Sequence, residues 1–177
     1  YYTYPLRRQG RLSPVLHNHI GWVYAFAGFM SLFLINGIIT YMLTPGVSVE
    51  TNHLVDGFFN PTFWPSLVFR TALCLMLAGM FALFTASRIK EEDLKRYVIR
   101  SASLWVGLPL IPMILSTAWY YFALPPDRQA SMLRKTIDIY PFIKAYGWIF
   151  PLIFIGGLFA FVRAERLRAP LAIAILC

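Results

Sequence analysis

The chain alternates long apolar runs with short polar or charged breaks. No Lys, Arg, Asp or Glu stands between Arg11 and Glu50. Within that gap, 19–43 is apolar nearly throughout, about 25 residues. As a helix rising ~1.5 Å per residue, that run crosses the ~30 Å hydrocarbon layer of a bilayer. A polar loop follows over 44–60, with Pro45, Gly46 and Asn52 as turn formers. A second apolar helix is predicted over 63–87, with Arg70 its one charge, and 88–96 reads as a charged turn. A third apolar helix is predicted over 101–124. Pro109 and Pro112 lie inside it and predict a kink, since each removes a backbone donor. Pro125-Pro126-Asp127 ends it, and the amphipathic stretch 128–140 reads as a short helix lying at the interface. A fourth apolar helix is predicted over 143–162, and the basic stretch 163–168 leads into a fifth run from about 170. The pattern predicts an all-α fold: one polytopic transmembrane helix bundle over 1–177, with four full helices and the start of a fifth.

Composition sharpens this picture. The 177 residues are 58% hydrophobic and 14% charged, with mean hydropathy +0.60. That excludes a disordered chain, and a core this small cannot hide so much apolar surface from water. The net charge of +8 would suggest nucleic acid in a soluble protein. Here the basic residues flank apolar runs, so they read as topology signals, and no nucleic-acid partner is expected. Eleven of the sixteen fall on one side if the helices alternate in direction: Arg7, Arg8 and Arg11, then the 88–100 group, then the 163–168 group. The positive-inside rule puts those segments, and the N-terminal end of the sequence, in the cytoplasm. Trp22, Tyr41, Trp64, Trp119 and Trp148 lie near the predicted helix edges, as an aromatic belt requires. Cys74 and Cys177 fit no haem-attachment or metal spacing. The sequence opens without Met and stops inside an apolar run, so it is expected to be part of a longer chain.

Few residues could carry chemistry. His17 and His19 stand at the cytoplasmic mouth of the first helix, two positions and thus roughly 200° apart, so they do not share a face. One could ligate a haem iron while the other meets a propionate, a headgroup or a carbonyl. His53, in the outer loop, is a candidate haem ligand or proton handler, or an ordinary loop histidine. No histidine lies mid-helix, and Met76 and Met80 read as a packing stripe. Arg70 is the sharper feature, because an intramembrane Arg costs about 2.5–3.5 kcal/mol on insertion scales and so takes a partner. Candidates are a haem propionate, a lipid phosphate, Glu50, Asp56 or another subunit's carboxylate. Asn36 is the other polar group expected inside the bilayer, at a helix interface or a cofactor. Gly28, Ser31, Gly37, Ala78, Gly79 and Gly156-Gly157 are expected to let helices approach closely.

Three strings carry a family resemblance: His17-Asn18-His19-Ile20-Gly21-Trp22 through Ile35-Asn36-Gly37; Tyr41-Met42-Leu43-Thr44-Pro45-Gly46; and Asp56-Gly57-Phe58-Phe59-Asn60-Pro61-Thr62-Phe63-Trp64-Pro65. Together they resemble subunit I of cytochrome bd-type quinol oxidases. In that family an Asn-Trp-Met-x-x-Pro-x-Gly signature closes one helix and an Asn-Pro-x-x-Trp turn opens the next. The likeness covers about 17–90, under half of the chain. It implies a haem b held by a histidine a few residues into the helix after the Asn-Pro turn, where this sequence has Phe69 followed by Arg70. The segment 125–142 falls where a quinol-binding loop would lie and carries none of that loop's motif. The resemblance thus implies a subunit of a respiratory electron-transfer complex in the bacterial inner membrane, moving electrons between quinol and an outer-face acceptor. Haem b and quinol are the cofactors it implies. The partners are other membrane subunits and cytochrome c-type subunits on the outer face. His53 and Arg70 would serve an outer-side haem as ligand and propionate partner, and His17 and His19 an inner-side one. The competing expectation is a haem-free anchor that packs redox subunits into the membrane.

Overall fold

A computed structural model describes residues 3–138 and 140–162. Nine helices and no strand occur among them. Among the described residues, three stretches are long and apolar enough to cross a membrane: Pro14–Leu43, Phe63–Ala86 and Glu92–Ala123. Gly147–Val162 is a shorter apolar helix. The predicted fifth run from about 170 lies outside the described residues. Contacts divide the chain into two units, Tyr1–Asn60 and Pro61–Cys177.

The first unit is built on one long helix. A short helix α1 (Thr3–Arg8) turns at Gly10 into α2 (Pro14–Leu43). The helix α2 starts five residues before the predicted position 19. Ser13 explains this: its Oγ accepts from the Leu16 N–H at 3.2 Å, and Pro14 fills the first helical position, where no donor is needed. At 30 residues α2 runs about 45 Å, beyond the hydrocarbon at one or both ends. It is apolar around most of its circumference and largely exposed, as a helix facing lipid should be. It stops at Thr44, followed by Pro45 and by Gly46 at φ 62, a backbone angle that suits glycine. The 44–60 loop holds two single-turn helices, α3 (Ser48–Thr51) and α4 (Leu54–Phe58), separated by Asn52 at φ 55.

The second unit packs α5 (Phe63–Ala86) against α6 (Glu92–Gly107) and α7 (Leu110–Ala123), with α6 also touching α9 (Tyr140–Val162). Its core joins Ala72, Met76, Met80, Leu83 and Ala86 of α5 to Ile99, Ala102 and Val106 of α6, Leu110 and Met113 of α7, and Ala160 of α9. The three-and-four spacing on α5 lays one apolar stripe against its partners. Met76 and Met80 are buried in that stripe, as packing residues. Gly79 lets the helices touch: a Cβ there would stand 2.9 Å from backbone atoms of Ala102 and Trp105. Gly157 meets Val106 in the same way, at 3.2 Å. Gly28 does not act so, since nothing lies within 4 Å of where its Cβ would be. The buried hydroxyls of Ser103 and Ser116 donate to Ile99 O and Met113 O of their own helices.

Further boundaries differ from the sequence expectation. The charged turn shrinks to 87–91, because Glu92 and Asp93 sit in the first turn of α6, where the helix dipole favours acids. The proline break falls at one place. The helix α6 ends at Gly107, Pro109 caps α7, and Pro112 occupies the third position of α7, where it forfeits no intrahelical bond. Beyond α7, the polar helix α8 (Pro126–Asp138) covers the stretch expected at the interface.

Candidate functional site

The most highly built polar cluster of the first unit ties its loop to its helix. Asn36, Thr40 and Thr44 recur every four residues, on one face of α2. They are 0%, 1% and 5% exposed, and Asn60, at the end of the loop, is 1% exposed. The Asn60 amide Nδ2 donates to Thr40 Oγ1 and to Gly57 O, both at 3.0 Å. Its Oδ1 accepts from Thr44 Oγ1 at 3.3 Å. The threonine hydroxyls also reach back along α2, Thr40 to Asn36 O at 2.8 Å and Thr44 to Thr40 O at 3.1 Å. Ser48 Oγ donates to Pro45 O at 2.7 Å, which closes the turn after α2. Two close packings flank the cluster. Gly37 abuts the Phe58 ring, and a Cβ at Gly57 would stand 2.6 Å from Tyr41. The cluster contains no titratable group, and its hydroxyls are spent on hydrogen bonds to carbonyl oxygens. It fixes geometry: seventeen residues of loop are held to the last two turns of α2 by side-chain amide and hydroxyl bonds.

The sequence-derived candidates divide around this cluster. Asn36 belongs to it, fully buried on the same face as Thr40. His53 stands at the start of α4 with an exposed side chain that makes no capping bond, beside exposed Leu54 and Val55. The nearby acid Asp56 is engaged in its own loop, accepting from Thr51 Oγ1 at 2.8 Å. His17 is half-buried at the start of α2, with the Tyr4 ring edge-on at 5.7 Å. Its Nδ1 is buried and has no hydrogen-bond partner. His17 also lines an open groove with Asn18, Gly21 and Trp22. His19 is exposed and does not line that groove, as the two-residue offset requires. Arg70 is partly buried on α5, and its Nε donates to Ser66 Oγ at 3.2 Å, one turn earlier.

A haem iron needs an imidazole inside an apolar slot. His53 does not fit that need within its unit, because its loop encloses nothing around the imidazole. His17 fits better, through its orphan Nδ1 and the adjoining groove. Among the described residues, no three His, Cys, Asp or Glu side chains converge on one point. Thr40 is not a sequence-derived candidate, and Thr44 and Asn60 enter the sequence reading only within the strings that carry the resemblance. The Asn36-x3-Thr40-x3-Thr44 spacing was the available signal, a polar stripe on an otherwise apolar helix.

Comparison of the chain with family models, with curated proteins and with solved structures finds no match.

Proposed function

We propose that this chain is a membrane-embedded subunit of a bacterial respiratory electron-transfer complex, similar to subunit I of cytochrome bd-type quinol oxidases. Its work is done beside other membrane subunits, between quinol and an acceptor on the outer face. The observation that carries this reading is the Asn60 cluster. The residues that gave the resemblance, Asn36, Thr44 and Asn60 among them, belong to the buried polar cluster that holds the loop to α2. A sequence that merely resembled the family by apolar composition would have no reason to place amides and hydroxyls there. Where a haem b is carried, His17 would hold it, and the haem would supply one-electron transfer. Arg70 would then serve an anionic group near the start of α5.

One observation favours the second reading, a haem-free anchor for redox partners: the second unit, Pro61–Cys177, contains no histidine. Reduced-minus-oxidised spectra with a pyridine haemochrome assay separate the two. The complex is purified in mild detergent from wild type, His17→Ala and His53→Ala. A b-type signal that falls in His17→Ala supports electron transfer on this chain. An assembled complex with no b-type signal overturns it and leaves the anchor.

A further inference from the structure

The far side of the 44–60 loop is a surface that the reading above leaves unused. The near side is anchored. Ser48, Gly57 and Asn60 are buried, and Asn60 bonds the loop to Thr40 and Thr44 of α2. The far side carries aliphatic groups into the open: Val47, Val49, Leu54 and Val55 are 60%, 68%, 89% and 67% exposed. They stand on or beside α3 and α4, two single turns that touch and are tied by the Thr51–Asp56 bond of 2.8 Å. Single exposed aliphatic residues are ordinary on a protein surface. Four within nine residues of an anchored loop mark a contact surface.

Charge gives this surface a sign. Glu50 and Asp56 lie among the four aliphatic groups, Glu50 exposed and Asp56 partly so. No Lys or Arg stands between Arg11 and Arg70, so the loop holds two acids and no basic partner for them within its own length, in a chain of net charge +8. Arg7, Arg8 and Arg11 precede α2 and the two acids follow it. The helix, about 45 Å long, thus separates charges of opposite sign. With the basic end in the cytoplasm, the acidic and aliphatic surface faces outward.

We propose, on the reading that an electron acceptor works at the outer face, that this surface docks a soluble redox protein whose contact patch is apolar and rimmed by lysines. Leu54 and Val55 meet the apolar centre of that patch, and Glu50 and Asp56 meet its lysines. Charge complementarity selects this occupant. An acidic carrier would be repelled by both carboxylates, and so would an anionic bilayer surface, which argues against lipid as the cover. The Asn60 cluster then has a use beyond its own loop. A surface fixed in advance has little freedom to lose when a partner lands on it.

The test is binding kinetics on the chain, purified with the subunits it carries and held in nanodiscs of zwitterionic lipid. The probes are a basic mono-haem cytochrome c and an acidic cytochrome c of similar size. Wild type is expected to bind the basic probe about tenfold more tightly. Its association should slow about tenfold between about 0.01 M and about 0.15 M salt, as the Debye length falls from ~30 Å to ~8 Å. Glu50→Lys should slow association about tenfold at the lower salt. Leu54→Ser should hasten dissociation about tenfold and leave association within about twofold. Both side chains are exposed, so neither variant touches the anchoring bonds. Equal binding of the two probes overturns the proposal, as do wild-type kinetics in both variants. Leu54→Trp checks lipid as the cover: loss of its added fluorescence to lipids brominated along the acyl chain would put Leu54 in the bilayer and overturn the docking site. Docking is read without reference to haem b on this chain. A complex with a b-type signal that ignores the basic probe therefore loses the docking surface alone, and one without the signal that binds the probe keeps it.

Discussion

Replacing Asn60 with Ala tests whether the polar cluster holds the loop. The substitution deletes two donor bonds of 3.0 Å, to Thr40 Oγ1 and Gly57 O, and one accepted bond of 3.3 Å from Thr44. The threonine hydroxyls are not orphaned, since each keeps a backbone acceptor on α2. Gly57 O is different: Gly57 is buried, and no other donor to its carbonyl stands among the bonds described above. The bonds shared with Thr40 and Thr44 at about 1 kcal/mol each, with a share of the ~1–3 kcal/mol cost of stranding the buried Gly57 carbonyl, give about 2–4 kcal/mol. This cost falls on local opening of the loop, because the core of the second unit uses none of these groups. At ~1.4 kcal/mol per factor of ten, even the lower figure makes opening about 30-fold more frequent. Hydrogen exchange read by mass spectrometry on the protein in nanodiscs should therefore show loop amides over 44–60 exchanging about 30-fold faster, with α5 unchanged. Asn60→Asp is the sharper variant. It keeps an acceptor for Thr44 but turns a carboxylate oxygen toward Gly57 O, so it should protect the loop no better than Ala. Wild-type exchange in either variant would refute the reasoning.

Three further outcomes follow from the same structure. Gly79→Val places side-chain atoms against immovable α6 backbone, and should lower resistance to denaturant in micelles by about 2 kcal/mol or more; an unchanged midpoint would show that the hairpin is loosely packed. Ser13→Ala removes the N-cap of α2 and should cost about 1 kcal/mol, seen as faster amide exchange confined to the first turn, around His17. Glu92→Gln breaks the ion pair with Lys95, 3.3 Å long with Glu92 67% exposed, and should change stability by less than about 0.5 kcal/mol in the same denaturant assay.

The legible parts of this chain were those governed by apolar run length. Helix α2, helix α5 and the break near Pro109 follow from hydropathy and from the missing proline donor, which act locally. The early starts of α2 and α6 were missed for one reason. Ser13-Pro14 and Glu92-Asp93 are capping and dipole features that extend a helix past its apolar stretch, where hydropathy is silent. Site residues were harder to read. The histidines drew attention because their side chains have rich chemistry, yet His19 and His53 are exposed. Asn60 looked like a turn residue; what gives it weight is a pairing with Thr40, twenty positions away, which no local pattern announces. Arg70 was expected to need a charged partner, and its described partner, Ser66, is neutral and one helical turn away.

The short 87–91 turn between α5 and α6 has a consequence for how the protein is made. Its two helices leave the ribosome in immediate succession, and their mutual contacts are separated by few residues, so little chain entropy opposes their pairing. The partner α9 is completed about 55 residues after α6 ends, which at ordinary synthesis rates is a delay of roughly 3–11 s. During that interval the face of α6 around Val106 waits uncovered for Gly157 and Ala160. The hairpin is thus the first assembled piece of the second unit, and damage at Gly79 would act on a nascent chain, at the point where cellular quality control decides whether to keep it.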